Sequence, residues 1–203
     1  MLNLGDQYRC PRGLRGRLVA SMMNRHHEKL TLWGLTKVSV GLDFVVLDVG
    51  CGGGKTVNRL ARMARQGKVF GIDYSADMVK FSKKFNKTLI AQNRVEILEE
   101  SVENMGFKDN FFDLATAFET YYFWINFPEA IAEINRVLKP RGKLILVNEL
   151  LYGVTPAKQI EKTHVKLLPL EGIQTVIQSV GFGSVQIFTN PESPWNAILA
   201  QKQ

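Results

Sequence analysis

From Phe44 onward, short apolar runs alternate with segments whose apolar residues recur at helical spacing: FVVLDVG, KTVNRLARMA, KVFGIDY, SADMVKFSKKF and NRVEILEE. Unbroken apolar runs of this length suit strands buried on both faces, and the intervening stripes suit helices that cover them. The rhythm is therefore βαβαβ, a parallel sheet with helices on either side. It continues with FFDLATAF as a strand, PEAIAEINRVLK as a helix carrying Ala130, Ile131, Ile134, Val137 and Leu138 on one stripe, and KLILVNEL as a strand. LEGIQTVIQSV then places Ile173, Val176, Ile177 and Val180 at helical spacing. SVQIFTN and WNAILAQ close the chain as two strands whose connection is too short for a parallel crossover, so they pair antiparallel. The pattern predicts an α/β fold: a doubly wound, mostly parallel seven-stranded sheet with an antiparallel last strand.

Residues before Phe44 do not follow this alternation. RGLRGRLVASMMNRHHEKL carries Leu14, Leu18 or Val19, Met22 and Met23 with helical periodicity, which predicts an N-terminal cap helix. The expected organisation is one domain over residues 1–203, with a cap segment at 1–43, a ligand-binding core at 44–150 and a sheet-completing part at 151–203. A chain of 203 residues with 45% hydrophobic content can bury one substantial core. No apolar run is long enough to cross a bilayer, and MLNLGDQYRCPRGLRGR lacks the apolar centre of a secretory signal, so a soluble cytoplasmic protein with no membrane contact is expected. Cys10 and Cys51 are too few for a disulfide framework, and no zinc spacing is present. The net charge of +7 is spread over Arg9, Arg12, Arg15, Arg17, Arg25, Lys80, Lys83, Lys84 and Lys87, a pattern of solvated faces more than of a nucleic-acid footprint.

The densest candidate chemistry is Asp48-Val49-Gly50-Cys51-Gly52-Gly53-Gly54, which leaves the strand FVVL and opens the helix KTVNRLARMA. Glycine at such a turn lets a ligand touch the backbone. A dinucleotide turn, G-x-G-x-x-G, aligned on Gly50 and Gly52 requires glycine where Lys55 stands. A P-loop ending at Gly54-Lys55-Thr56 requires its first glycine where Val49 stands. What remains is acid-x-Gly-x-Gly-x-Gly. The next strand ends at Asp73, where doubly wound folds place an acceptor for ribose hydroxyls, although Asp73, Ser75 or Asp77 can equally cap the following helix.

With Asp48, Gly50, Gly52 and Gly54 in this order, the chain resembles the class I S-adenosylmethionine-dependent methyltransferases over roughly residues 44 to 150. Later segments resemble further motifs of that family: EILEESVENMGF (96–107), DNFFDLATAFE (109–119) and INRVLKPRG (134–142), where Arg141 replaces a glycine. The resemblance implies S-adenosyl-L-methionine as cofactor and S-adenosyl-L-homocysteine as its product. It also implies a cofactor site built from Asp48, Gly50, Cys51, Gly52, Gly54, Asp73, Tyr74, Met78, Ser101, Val102, Phe118 and Glu119. Tyr74 and Met78 border the adenine in this reading, with Met78 equally suited to the core. Ser101 stands where the family commonly has an acid for the adenine amino group, and a neutral acceptor is weaker than a charged one.

Glu119 is followed by Thr120 and then by four consecutive aromatics, Tyr121-Tyr122-Phe123-Trp124. Four successive side chains cannot all face one core, so Tyr121, Tyr122 and Trp124 are candidates for the acceptor site, where an aromatic face can stabilise a cation. Glu119 is a candidate to anchor the cofactor's ammonium, orient an acceptor or act as a base, the first two at an unperturbed carboxylate pKa; Asp48 competes for the ammonium. The segment from Met22 to Leu35 resembles a region that precedes the first motif in small bacterial members of the family, and there His27 aligns with a histidine and is a candidate catalytic base. The main expectation is methyl transfer to a small-molecule acceptor. The alternatives are an RNA or protein methyltransferase and a non-catalytic S-adenosylmethionine-binding protein.

Overall fold

A computed structural model describes residues 28–149 and 165–203. Its first element is helix α1 (Glu28–Leu35), and the core proper starts with strand β1 (Val45–Val49), helix α2 (Lys55–Met63), strand β2 (Lys68–Asp73), helices α3 (Ala76–Phe85) and α4 (Lys87–Ala91) and strand β3 (Val95–Glu99). Strand β4 (Phe112–Phe118), a single 3₁₀ turn (Tyr121–Phe123), helix α5 (Phe127–Val137) and strand β5 (Leu138–Asn148) follow. Helix α6 (Leu170–Ser179) and strands β6 (Phe182–Thr189) and β7 (Asn196–Lys202) complete the chain. The helical pattern expected through Leu14 to Met23 lies outside the described residues.

The seven strands form one sheet in the order β3-β2-β1-β4-β5-β7-β6. Pairings among β1 to β5 are parallel, whereas β7 runs antiparallel to both β5 and β6. Side chains alternate across the strands and so divide into two cores. Leu144 and Leu146 of β5 join Ala130, Ile131 and Ile134 of α5 and Ile173 and Ile177 of α6, while Ile145 and Val147 join Val57 and Leu60 of α2, Val79 of α3 and Leu30 of α1. Each such aliphatic side chain contributes about 1.5–3 kcal/mol on full burial. Coverage of both faces is the reason the strand sequences are continuous apolar runs.

Two local features depart from the sequence reading. Helix α4 intervenes between α3 and β3, in a stretch the sequence pattern leaves unassigned. Helix α5 stops at Val137, and β5 already begins at Leu138, running on through Pro140-Arg141-Gly142 where a turn was expected. Arg141 adopts φ 65°, the left-handed conformation that glycine takes without strain and that costs other residues about 1–2 kcal/mol. The family's glycine at this position therefore has a backbone reason that Arg141 overrides.

Chain order reverses at β1: β2 and β3 lie on one side of it and β4 and β5 on the other. In open α/β sheets this switch point leaves a crevice beyond the carboxyl ends of the strands, and ligands bind there.

Candidate active site

A cavity of about 350 Å³ opens at this switch point, between the ends of β1, β2 and β4 and the loop after β3. Its floor is the glycine turn. Gly52 has φ 48°, and a Cβ built on it meets nothing within 4 Å, so its backbone faces open space on the cavity wall. Gly54 is different: its Cβ would lie 2.2 Å from Ser82 Oγ and 2.5 Å from Asn86 Nδ2, and the residue is the N-cap of α2 rather than part of the wall. The expectation that Gly54 touches a ligand is thus corrected; close packing of α2 against α3 requires its missing side chain. Gly50 and Cys51 line the cavity. Burial and the nearby Asp73 and Asp48 carboxylates push the Cys51 thiol well up, so it is a neutral packing group.

Two carboxylates stand beside the turn. Asp48 is 2% exposed and accepts the Thr116 hydroxyl at 2.7 Å. Burial raises its pKa to about 7, against the lowering effect of that hydroxyl and with a further push from Asp73. Asp73 accepts the backbone N–H of Gly52 and that of Ser75, both at 2.9 Å, and its pKa is raised by burial despite those two donors. The capping alternative falls to Ser75, whose hydroxyl accepts from Met78 N and which is the N-cap of α3. Asp73 instead binds the end of β2 to the glycine turn, with its side chain on the cavity wall.

Tyr74, Met78, Ser101 and Val102 line the same cavity. Met78 is 3% exposed and yet part of the wall. Ser101 donates its hydroxyl to Glu103, a wall residue that the sequence reading passed over.

On the β4 side, Phe118 and Glu119 reach the cavity, as do Thr120, Phe123, Trp124 and Ile125. Glu119 adopts φ 57° and is nearly buried. It accepts the Tyr122 hydroxyl at 2.7 Å and the backbone N–H of Glu149. Burial outweighs both donors and pushes its carboxyl up to about 7, which corrects the expectation of an unperturbed acid. Tyr121 and Tyr122, expected at the acceptor site, turn instead into the core beneath α5 and do not line the cavity. Tyr121 packs edge-on against Tyr122 and Phe127. A 3₁₀ turn repeats every three residues, so successive aromatics diverge. Among the described residues, Phe123 and Trp124 are the two of the four that border the cavity.

Helix α1 supplies Glu28 and Thr31 to the wall, and α2 supplies Lys55, Thr56 and Arg59. Arg59 pairs with Glu28 at 3.0 Å. Lys55 and Arg59 are one turn apart on the same helix face. His27 lies outside the described residues.

Residues 47–146 match the family model described as a methyltransferase domain. The 2-phytyl-1,4-naphtoquinone methyltransferase of Nostoc sp. is 34% identical over 103 residues, which are 50% of this chain and 45% of that one. The demethylmenaquinone methyltransferase of Lactiplantibacillus plantarum is 32% identical over 126 residues, 60% of this chain and 51% of the relative. Over this stretch the chain is similar to the class I S-adenosylmethionine-dependent methyltransferases. It spans about half the length of the curated relatives it matches. At the level of fold, the methyltransferase solved with the Trm112 activator of Haloferax volcanii superposes with TM-score 0.85 over 100% of this chain and 99% of that one, at 16% identity. An S-adenosylmethionine-dependent methyltransferase from Aquifex aeolicus gives TM-score 0.68 over 85% and 89%, at 22% identity.

The cofactor of this methyltransferase family is S-adenosyl-L-methionine, and the residues present suit it. A glycine backbone that faces open space and two buried carboxyl groups match the chemistry of a ligand carrying a vicinal diol and an ammonium.

Proposed function

We propose that this chain is an enzyme that transfers a methyl group from S-adenosyl-L-methionine to a small-molecule acceptor. The observation that carries the reading is the cavity at the switch point, where the open backbone at Gly52 meets the buried carboxylates of Asp48 and Asp73. When bound, the cofactor supplies a methyl group already activated by its sulfonium. In this reading Asp73 accepts from the ribose hydroxyls, Asp48 faces the methionyl ammonium, and Tyr74, Met78, Ser101 and Val102 enclose the adenine. Since the electrophile needs no activation, the protein's share is alignment and exclusion of water.

Glu119, with its pKa near 7, is placed to orient the acceptor or take its proton near neutrality. Phe123 and Trp124 offer it an apolar wall, and His27 is a second proposed base. The relatives' names specify a phytylnaphthoquinone and a demethylmenaquinone. A flat ring of that kind suits aromatic walls, so such a compound is the first acceptor to try. The cavity's charge argues against a polyanionic acceptor. Glu28, Asp48, Asp73, Glu100, Glu103 and Glu119 line it, against Lys55 and an Arg59 already paired with Glu28. Among the described residues no helix is long and apolar enough to cross a membrane, and a cytoplasmic location is part of this proposal.

The test is calorimetric titration of the protein with S-adenosylmethionine, S-adenosylhomocysteine, NAD and ATP in parallel. Binding confined to the two adenosyl ligands is the expected result. Tighter binding of NAD or ATP would overturn the reading of the glycine turn.

A further inference from the structure

Glu103 stands where the two halves of the cavity wall meet. One of its carboxylate oxygens accepts the Ser101 hydroxyl. The other accepts the backbone N–H of Ile125 at 2.8 Å and, more weakly, that of Asn126 at 3.5 Å. Ser101 and Val102 form the wall after β3, whereas Phe123, Trp124 and Ile125 form the wall before α5. One side chain therefore ties both walls together, across more than twenty residues of sequence.

The tie is placed where the second wall needs it. Phe123 N and Trp124 N are spent within the 3₁₀ turn, on Thr120 O and Tyr121 O. The next donor, Ile125 N, goes to Glu103. Ile125 is 72% exposed and so has little packing of its own to hold it. Asn126 is the N-cap of α5, and its side chain makes no capping hydrogen bond. Glu103 is then a negative group beside that helix start, in addition to Glu129 of the first turn, where the helix dipole favours negative charge. Partial burial pushes the Glu103 carboxyl up, but the Ser101 hydroxyl and the backbone N–H donors outweigh it and hold the group below the usual carboxylate range. Its charge is in place at neutral pH.

Resting on the methyltransferase reading above, we propose that Glu103 is a positioning residue that couples the two walls. A ligand held against Ser101 and Val102 sets, through the Glu103 carboxylate, the position of Phe123, Trp124 and Ile125 at the acceptor mouth. The hydroxyl of Ser101 has one proton, which goes to Glu103, so its oxygen is left to accept from a ligand N–H. Hydrogen bonds in such a chain polarise one another, and ligand occupancy on one wall tightens the contact that holds the other.

The test titrates S-adenosylhomocysteine into the full chain by calorimetry and by tryptophan fluorescence, with Trp124→Phe identifying the Trp124 component. In the unsubstituted protein the ligand is expected to shift Trp124 emission. Glu103→Gln offers one carbonyl oxygen in place of two carboxylate oxygens, so it accepts from one wall only and turns an amide N–H donor toward the other, where it competes with a ligand N–H for Ser101 Oγ. It is expected to bind the ligand within about fivefold, the size of one neutral hydrogen bond, while the Trp124 response is lost. Ser101→Ala removes only the hydroxyl arm, is expected to lose the response likewise, and carries the test if Glu103→Gln does not fold. Normal binding with an undiminished Trp124 response in both variants overturns the coupling. So does a loss of affinity of about a hundredfold or more in Glu103→Gln, which would make Glu103 an ordinary ligand contact. If the unsubstituted protein binds the ligand without any Trp124 response, the coupling fails and the functional reading stands. If calorimetry shows no binding at all, both fail.

Discussion

The glycine turn and the segment from Glu119 to Ile125 face each other across one cavity, yet they are built in opposite ways. The turn is specified by its backbone: three glycines at positive φ between the end of β1 and the start of α2, and Asp73 tying Gly52 to the end of β2. The facing segment is specified by side-chain partition. Of its four aromatics, Tyr121 and Tyr122 bury in the core away from the cavity, whereas Phe123 and Trp124 border the cavity while also packing on that core. Backbone-specified sites are constrained by which residues can adopt a conformation, so the sequence carries them openly. Side-chain partition depends on where a turn of three residues points each ring, and that is decided by packing.

The comparison breaks most easily at Tyr121. It is 3% exposed, wedged between Tyr122 and Phe127, so Tyr121→Ala is expected to cost about 3–5 kcal/mol of stability, as large-to-small changes at buried aromatics do. Ile125→Ala, at the exposed mouth, is expected to stay within about 0.5 kcal/mol. Urea unfolding of both variants decides the matter. If Tyr121→Ala keeps its stability, the ring does not pack as core, and the acceptor role read from the sequence returns.

The same contrast explains what was legible beforehand. The sheet, its order of elements and the antiparallel end follow from apolar runs and helical stripes, because both faces of the sheet are covered. The cavity wall from Asp48 to Val102 coincides with motifs at strand ends, with Gly54 the exception, since a glycine demanded by Ser82 and Asn86 looks the same in sequence as one demanded by a ligand. Glu28, Thr31 and Arg59 were not legible as wall residues, because they reach the cavity only through the packing of α1 beside α2. Glu103 was missed for a related reason: its partners Ile125 and Asn126 are backbone groups of another element, and nothing in residue type announces them.

A smaller effect sharpens the turn's side of the comparison. Asp73→Ala removes a charged acceptor from the cavity wall, and its affinity for S-adenosylhomocysteine is expected to fall by about 1.5–3 kcal/mol, roughly 10- to 150-fold. Calorimetry on the folded variant measures it. Unchanged affinity would leave Asp73 as a purely structural brace between Gly52 and Ser75.

The finest distinction is which side owns the pH dependence, since Asp48 at the turn and Glu119 opposite both titrate near 7. Burial raises the folded pKa of Asp48 to about 7, above the ordinary carboxylate value of 3.8, so between these values the ligand-free fold holds a proton that the unfolded chain lacks. From this group, ligand-free stability is greatest at low pH and falls as pH rises from about 4 to about 7. A ligand ammonium requires the ionised form, so binding releases the proton below pH 7, and affinity for S-adenosylhomocysteine falls by at most about tenfold per pH unit there. Asp48→Asn is expected to flatten that slope, and Glu119→Gln to leave it in place. The reverse pattern would move the ammonium from the glycine turn to the aromatic side and exchange the roles of the two carboxylates.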